Sequence, residues 1–141
     1  MNNEVAEVLW EGVHCSLAIE RPAVGVVVVR LIGWDAGEFG DVPMKELAKD
    51  LAKSGLIELF IDARAVKGAS IEVSGEWAQW LAKNRARFKH ISMLTGSRFI
   101  QLTANFVRRF ADLGELMRIY TDPVAFDAAL LQSATCAKVG E

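Results

Sequence analysis

A run of nineteen residues, from Asp62 to Trp80, holds most of the side chains in this sequence that could do chemistry: Asp62, Arg64, Lys67, Ser70, Ser74, Trp77 and Trp80, with Gly68 and Gly75 among them. Ser70 and Ser74 lead into a stretch of helical spacing, so either could stand at a helix amino terminus. Backbone N–H groups and the helix dipole favour an anion there, and a phosphate on either serine would be easily held. A serine in that place is equally an ordinary cap whose oxygen accepts a backbone N–H. Asp62 with Arg64 could be a site acid and its partner, or Asp62 could cap backbone groups of the loop after it. Trp77 and Trp80, three apart, share roughly one helix face. With Trp34 and Phe39 they could wall an apolar pocket for a lipid-like ligand, or they could belong to the core. Trp80 lies nearer the edge of the stripe and is expected to be partly exposed.

Other chemistry has little to stand on. His14 and His90 are the only histidines. No serine–histidine–acid arrangement, no His/Cys spacing suited to a metal and neither glycine-rich phosphate motif occurs. The expectation is a protein without enzymatic activity, metal or cofactor. The charge is unevenly spread. From Trp77 to Ala111 there is no Asp or Glu, but Lys83, Arg85, Arg87, Lys89, Arg98, Arg108 and Arg109 fall there, in a chain of net charge -2. These seven could converge into a patch for an anionic partner, or form the solvated faces of two helices. The window has no RNA or DNA motif, and the chain as a whole is acidic, so nucleic acid is not an expected partner.

The elements that must position these residues follow from length and periodicity. A chain of 141 residues, 52% hydrophobic, suits one domain around one core. No apolar run approaches the roughly 18 residues of a membrane helix. The amino terminus lacks the basic-then-apolar pattern of a secretory signal. Cys15 and Cys136 are expected to be free thiols, and a cytoplasmic location is expected. Strands are predicted over 15–20 and 24–32, joined as a hairpin at Arg21-Pro22-Ala23, then a loop over 33–40. A helix follows from Asp41 or Val42, with Pro43 in its first turn and Gly55 closing it. The apolar run 56–61 reads as a buried central strand ended by Asp62, then a loop to Ser74 that overlaps a helix start at Ser70 or Ser74. That helix turns Val73, Trp77, Trp80, Leu81 and Phe88 inward. A strand over 91–94 leads to a third helix with Phe99, Leu102, Phe106, Val107 and Phe110 inward. A strand over 116–120 precedes a terminal helix capped by Asp122, with Phe126, Ala129 and Leu130 inward. Residues 1–14 are then a lead-in with room for a short strand, 15–132 the domain and 133–141 a frayed tail. Alternating strands and helices imply right-handed crossovers. The predicted fold is a single α/β domain with a mixed, mainly parallel five-stranded sheet and about four helices. Ligands of such sheets sit beyond the carboxyl ends of the strands. The loop after Asp62, longer than the usual 2–6 residues or so, is the expected working face.

The element order, the strand LIELFIDAR followed by loop and helix, and the closing MRIYTDPVAFDAAL together resemble the STAS domain in its divergent SpoIIAA-like group, over roughly residues 15–132. The resemblance implies a bacterial regulatory module that works through a protein partner, with homodimer assembly compatible with it. In the anti-sigma-factor antagonists of this type, a serine at the start of the helix after the third strand is phosphorylated within an Asp-Ser-Ser-Gly type motif. Ser74-Gly75 falls near that place, twelve residues after Asp62, and Ser70 is the other candidate. Glu72 and Val73 precede Ser74 where the motif has Asp and Ser. The expected partner or ligand surface comprises Asp62, Arg64, Lys67, Gly68, Gly75, Trp77 and Trp80. The alternative function is a carrier or sensor of a small apolar or amphipathic ligand.

Overall fold

The computed structural model describes residues 7–139. Six strands form one sheet in the order β1-β2-β3-β4-β5-β6. They are β1 (Glu7–Glu11), β2 (Cys15–Ala23), β3 (Val26–Asp35), β4 (Ile57–Ala69), β5 (Phe88–Thr95) and β6 (Met117–Tyr120). The helices are α1 (Val42–Ser54), α2 (Ile71–Lys83), α3 (Arg98–Phe110) and α4 (Pro123–Val139). Strands β1 to β3 pair antiparallel, and β3 to β6 pair parallel. The sixth strand is β1, which falls inside the stretch expected to be a lead-in. Likewise α4 extends to Val139, through residues expected to fray.

Each crossover from β3 to β6 moves one strand along in the same direction. Right-handed connections then put α1, α2 and α3 on one face of the sheet. Alternation along the strands supplies that face with Leu17, Ile19, Val27, Val29, Ile57, Leu59, Ile61 and Ile91, against Met44, Leu47, Leu51, Val73, Trp77, Leu81, Ala104 and Val107 of the helices. The opposite face is covered by α4, where Val26, Val28, Phe60, Leu94 and Phe126 form a second, smaller core. Because the sheet is wound in a single direction, no strand order reverses among the parallel strands. The crevice that such a reversal opens at the carboxyl ends is therefore missing.

Local chemistry sets the ends of the elements. Pro43 occupies the first turn of α1, and Gly55, at φ 79°, closes it. The hairpin between β2 and β3 turns at Val24-Gly25, not at Arg21-Pro22-Ala23. Ala23 still pairs with Val26, and Gly25 supplies the positive φ of 80°. β3 continues three residues beyond its predicted end because Gly33 lets it pass close to the neighbouring strand. Its φ is 90°, and a Cβ there would lie 2.0 Å from the His14 carbonyl oxygen.

The largest departure is β4. The predicted loop after Asp62 is strand as far as Ala69, and Ser70 alone joins it to α2. Asp62 is not at a strand end, because Arg30, its register partner on β3, neutralises it. Two register shifts between β3 and β4 absorb the extra residues. In α3, Val107 points inward as expected, but Phe99, Leu102, Phe106 and Phe110 are exposed. The helix meets the sheet through the smaller row Ile100, Ala104 and Val107. Phe88 opens β5 instead of ending α2. No helix among the described residues is long and apolar enough to cross a membrane.

Candidate functional site

Side chains along a strand alternate between its faces, and this splits the predicted surface in two. Ile61 and Ala63 point toward the three-helix face; Asp62 and Arg64 point to the side of α4. There they belong to a chain of alternating charges. Glu20 accepts from Arg30 at 2.8 and 3.2 Å, and Arg30 also donates to Asp62. Arg64 Nε donates to both Asp62 oxygens, at 3.0 and 3.2 Å, and its other end donates to Asp127 of α4 at 2.6 Å. The Asp62 side chain is 6% exposed, whereas those of Arg30 and Arg64 are about one-third exposed. Asp127 first, then Asp62, holds the Arg64 guanidinium well above its ordinary range. The arrangement ties β2, β3, β4 and α4 together, and every member already has a partner. Lys67 is exposed further along β4, and Gly68 is buried directly beneath the half-exposed ring of Trp34.

Ser70 and Ser74 lie on the other side. Ser70 is the cap of α2: its Oγ accepts the Val73 N–H at 3.1 Å, and its own N–H donates to the Asp35 carbonyl at 3.0 Å. Ser74, one turn on, is buried, and its hydroxyl donates to the Ser70 carbonyl at 3.1 Å. Of the two serines, only Ser70 keeps a partly exposed side. A Ser74→Asp change would bury a carboxylate beside the cavity that Asp35 also lines. Urea unfolding is expected to show a loss of about 1–3 kcal/mol; a loss below about 0.5 kcal/mol, the usual range for a surface change, would contradict the burial.

Between the sheet, α2 and α3 lies an apolar cavity of about 70 Å³. Phe39 and Trp77 wall it with Ile61, Met93, Ile100 and Val107, while Asp35, Ser74 and Thr103 are its polar groups. Trp34 and Trp80, expected to join the wall, do not line it. The Trp80 ring stands edge-on to Phe88, 5.9 Å between centroids, beside a shallow depression formed with α1. Trp80 is half-buried and Trp77 buried, as their places on the stripe suggest.

Asp35 carries no signal in the sequence beyond its acid side chain, yet it is the ionisable group of this cavity. Its carboxylate accepts the Gly37 N–H at 3.0 Å. Burial pushes its pKa above the ordinary aspartate range, against that hydrogen bond, and Glu38 and Glu76 push the same way as burial. A carboxyl that holds its proton more tightly in the folded chain favours the native state at low pH. That contribution is lost as pH rises through the folded pKa. Asp35→Asn is therefore expected to raise the urea midpoint at neutral pH, with the advantage gone below about pH 3.9. A lower midpoint for Asp35→Asn at neutral pH would contradict this.

The seven basic residues of the acid-free window do not converge. Arg87 donates to the Leu51 and Gly55 carbonyls at the end of α1. Arg85 pairs with Asp112, Lys89 with Glu58, and Arg108 donates to the Met117 carbonyl and to Asn105. The side chains of Arg98 and Arg109, both exposed on α3, make no hydrogen bond or ion pair to another described residue. Among the described residues no three His, Cys, Asp or Glu side chains group as metal ligands. Cys15 is buried and Cys136 exposed, both free.

No protein-family model and no curated protein matches the chain. Solved structures do. One is a protein of the DUF3478 family with a SpoIIAA-like fold from Shewanella loihica PV-4, described as uncharacterized. It superposes with a TM-score of 0.61 at 16% identity, over 86% of this chain and 98% of that one. Another is the anti-sigma factor antagonist SpoIIAA in its unphosphorylated form, with a TM-score of 0.53 at 16% identity, over 80% of this chain and 95% of that one. The chain has the SpoIIAA-like α/β fold, a six-stranded, mostly parallel sheet with four helices.

Proposed function

We propose that this domain is a non-enzymatic regulatory module that binds a protein partner on its three-helix face. The observation that carries this reading is the row Phe99, Leu102, Phe106 and Phe110, four large apolar side chains of one helix left 47–62% exposed. Apolar surface gathered in this way marks an interaction site. The amino end of α2 supports the same face: Ile71 is exposed and Gly75 is half-buried. Ser70 caps α2, and a phosphate on a helix cap would meet the helix dipole. Glu72 and the nearby Asp35 oppose a second negative charge, so a phosphate at Ser70 would act as a switch and not as a permanent feature. One protein of this fold is an anti-sigma factor antagonist, which suits a partner-binding role. Asp62 and Arg64 leave the proposed surface, because their charges are already satisfied within the domain.

A photo-cross-linking residue at Ile71, at Phe106 or at Ala128 on α4, in cells that make the protein natively, tests the reading. Protein adducts are expected from the first two positions and not from Ala128, with fewer after Ser70→Glu. Adducts from Ala128 alone, or none from any position, would end it.

The second reading, an apolar ligand, rests on the cavity. Its 70 Å³ is about half the volume of a cavity that admits benzene. Only a short hydrocarbon segment fits unless α2 and α3 part. Retention of such a ligand would depend on Trp77, which walls the cavity, and not on Trp80.

A further inference from the structure

We propose that the outer row of α3 receives an acidic amphipathic helix of the partner protein; this rests on the partner-binding reading above. α3 carries two apolar rows. At about 100° per residue, Ile100, Ala104 and Val107 turn to the sheet and are buried. Phe99, Leu102, Phe106 and Phe110 fall within about 80° of one another on the adjoining sector and stand in solvent. Phe106 and Phe110 sit with their rings 5.6 Å apart. Steps of three, four and four residues are those by which one helix presents anchors to another.

Charge identifies what the row can meet. α3 has no acidic residue. By the same helical projection, Arg98 and Arg109 lie together on one flank of the row. Both are exposed, and neither guanidinium is engaged by any other described residue. The opposite flank is Thr103, which leads into the cavity lining. The row therefore has a cationic edge on one side and a neutral edge on the other. A second copy packed antiparallel on this row would set Arg98 against Arg109 of its mate, like charge on like. A helix lying in a bilayer surface carries its cations across a broad polar face, and two arginines give little hold on anionic lipid. A helix with aliphatic anchors on one face and Asp or Glu along one edge meets both features, apolar row and one-sided charge.

The test uses the full chain and two synthetic peptides with leucine at i, i+3, i+4 and i+7. One carries glutamate at the remaining exposed positions and the other lysine. Calorimetric titration should show saturable binding of the glutamate peptide, weakened about tenfold or more by Leu102→Ser and by Phe106→Ser. Both side chains are exposed, so each variant should keep the wild-type circular dichroism and urea midpoint. The double change Arg98→Glu, Arg109→Glu should reverse the preference toward the lysine peptide, an effect that loss of packing alone would not produce. Phosphatidylglycerol vesicles and sedimentation of the free chain complete the set. The proposal is overturned by equal affinity for the two peptides or by failure of the glutamate peptide to bind. It is also overturned if Phe106→Ser abolishes vesicle binding or self-association in a chain that ignores the peptides. Protein cross-links at Phe106 together with charge-insensitive peptide binding would leave the partner reading standing and remove this one.

Discussion

Replacing Phe126 by alanine is expected to lower the unfolding free energy by about 3–5 kcal/mol, the range for deleting a buried aromatic ring. Phe126 is fully buried, and its ring stands edge-on to Phe60 and Tyr120, at 5.8 and 5.7 Å between centroids. Among the described side chains of α4 it is the one that is large and fully buried, set among Val26, Val28, Phe60 and Leu94. The three-helix face spreads its burial over many residues, whereas this face concentrates it on one ring. Much of the loss should appear as undocking of α4. Hydrogen exchange in the variant should then rise along α4 and remain slow in β3 and β4. A loss under about 1 kcal/mol, small beside the range for this deletion, would mean that α4 is held elsewhere.

Asp62→Ala is expected to come next, near the low end of about 3–5 kcal/mol for breaking a buried ion pair. The carboxylate is almost fully covered and serves two guanidiniums at once. Its removal leaves Arg30 with Glu20 and Arg64 with Asp127, and both arginines remain about one-third exposed. Those remaining partners and solvent soften the loss. Asp62→Asn should cost less, since an amide oxygen can still accept the Arg64 backbone N–H that Asp62 accepts at 3.2 Å. Urea unfolding of the two variants checks the order. An alanine variant as stable as wild type would show that the charge chain contributes nothing net.

The sequence by itself determined those elements whose signals are local. Pro43 and Gly55 bracket α1 because one lacks an N–H where none is needed and the other tolerates a positive φ. Asp122 caps α4 by accepting the Val124 N–H at 3.1 Å, and Pro123 follows at the first helical position. The apolar run at the head of β4 reads as a strand covered on both faces, and it lies between β3 and β5. The SpoIIAA-like order of elements followed from these boundaries.

The tertiary structure decided what depends on a neighbour. A charge at Asp62 reads as the end of a strand until Arg30 arrives from β3 to neutralise it; then the strand runs on and the expected loop disappears. With the loop gone, alternation sends Asp62 and Arg64 to α4 and leaves Ser70, Ser74 and Trp77 on the far side of the sheet. The cavity took Phe39 and Trp77 but neither Trp34 nor Trp80, because its walls are set by how α2 and α3 pack. In α3 the apolar residues cover more of the helix than one sheet can bury. Periodicity marks that broad sector but cannot choose the half that faces inward. Close approach to the sheet favours the smaller side chains of Ile100, Ala104 and Val107, and the larger row is left to solvent.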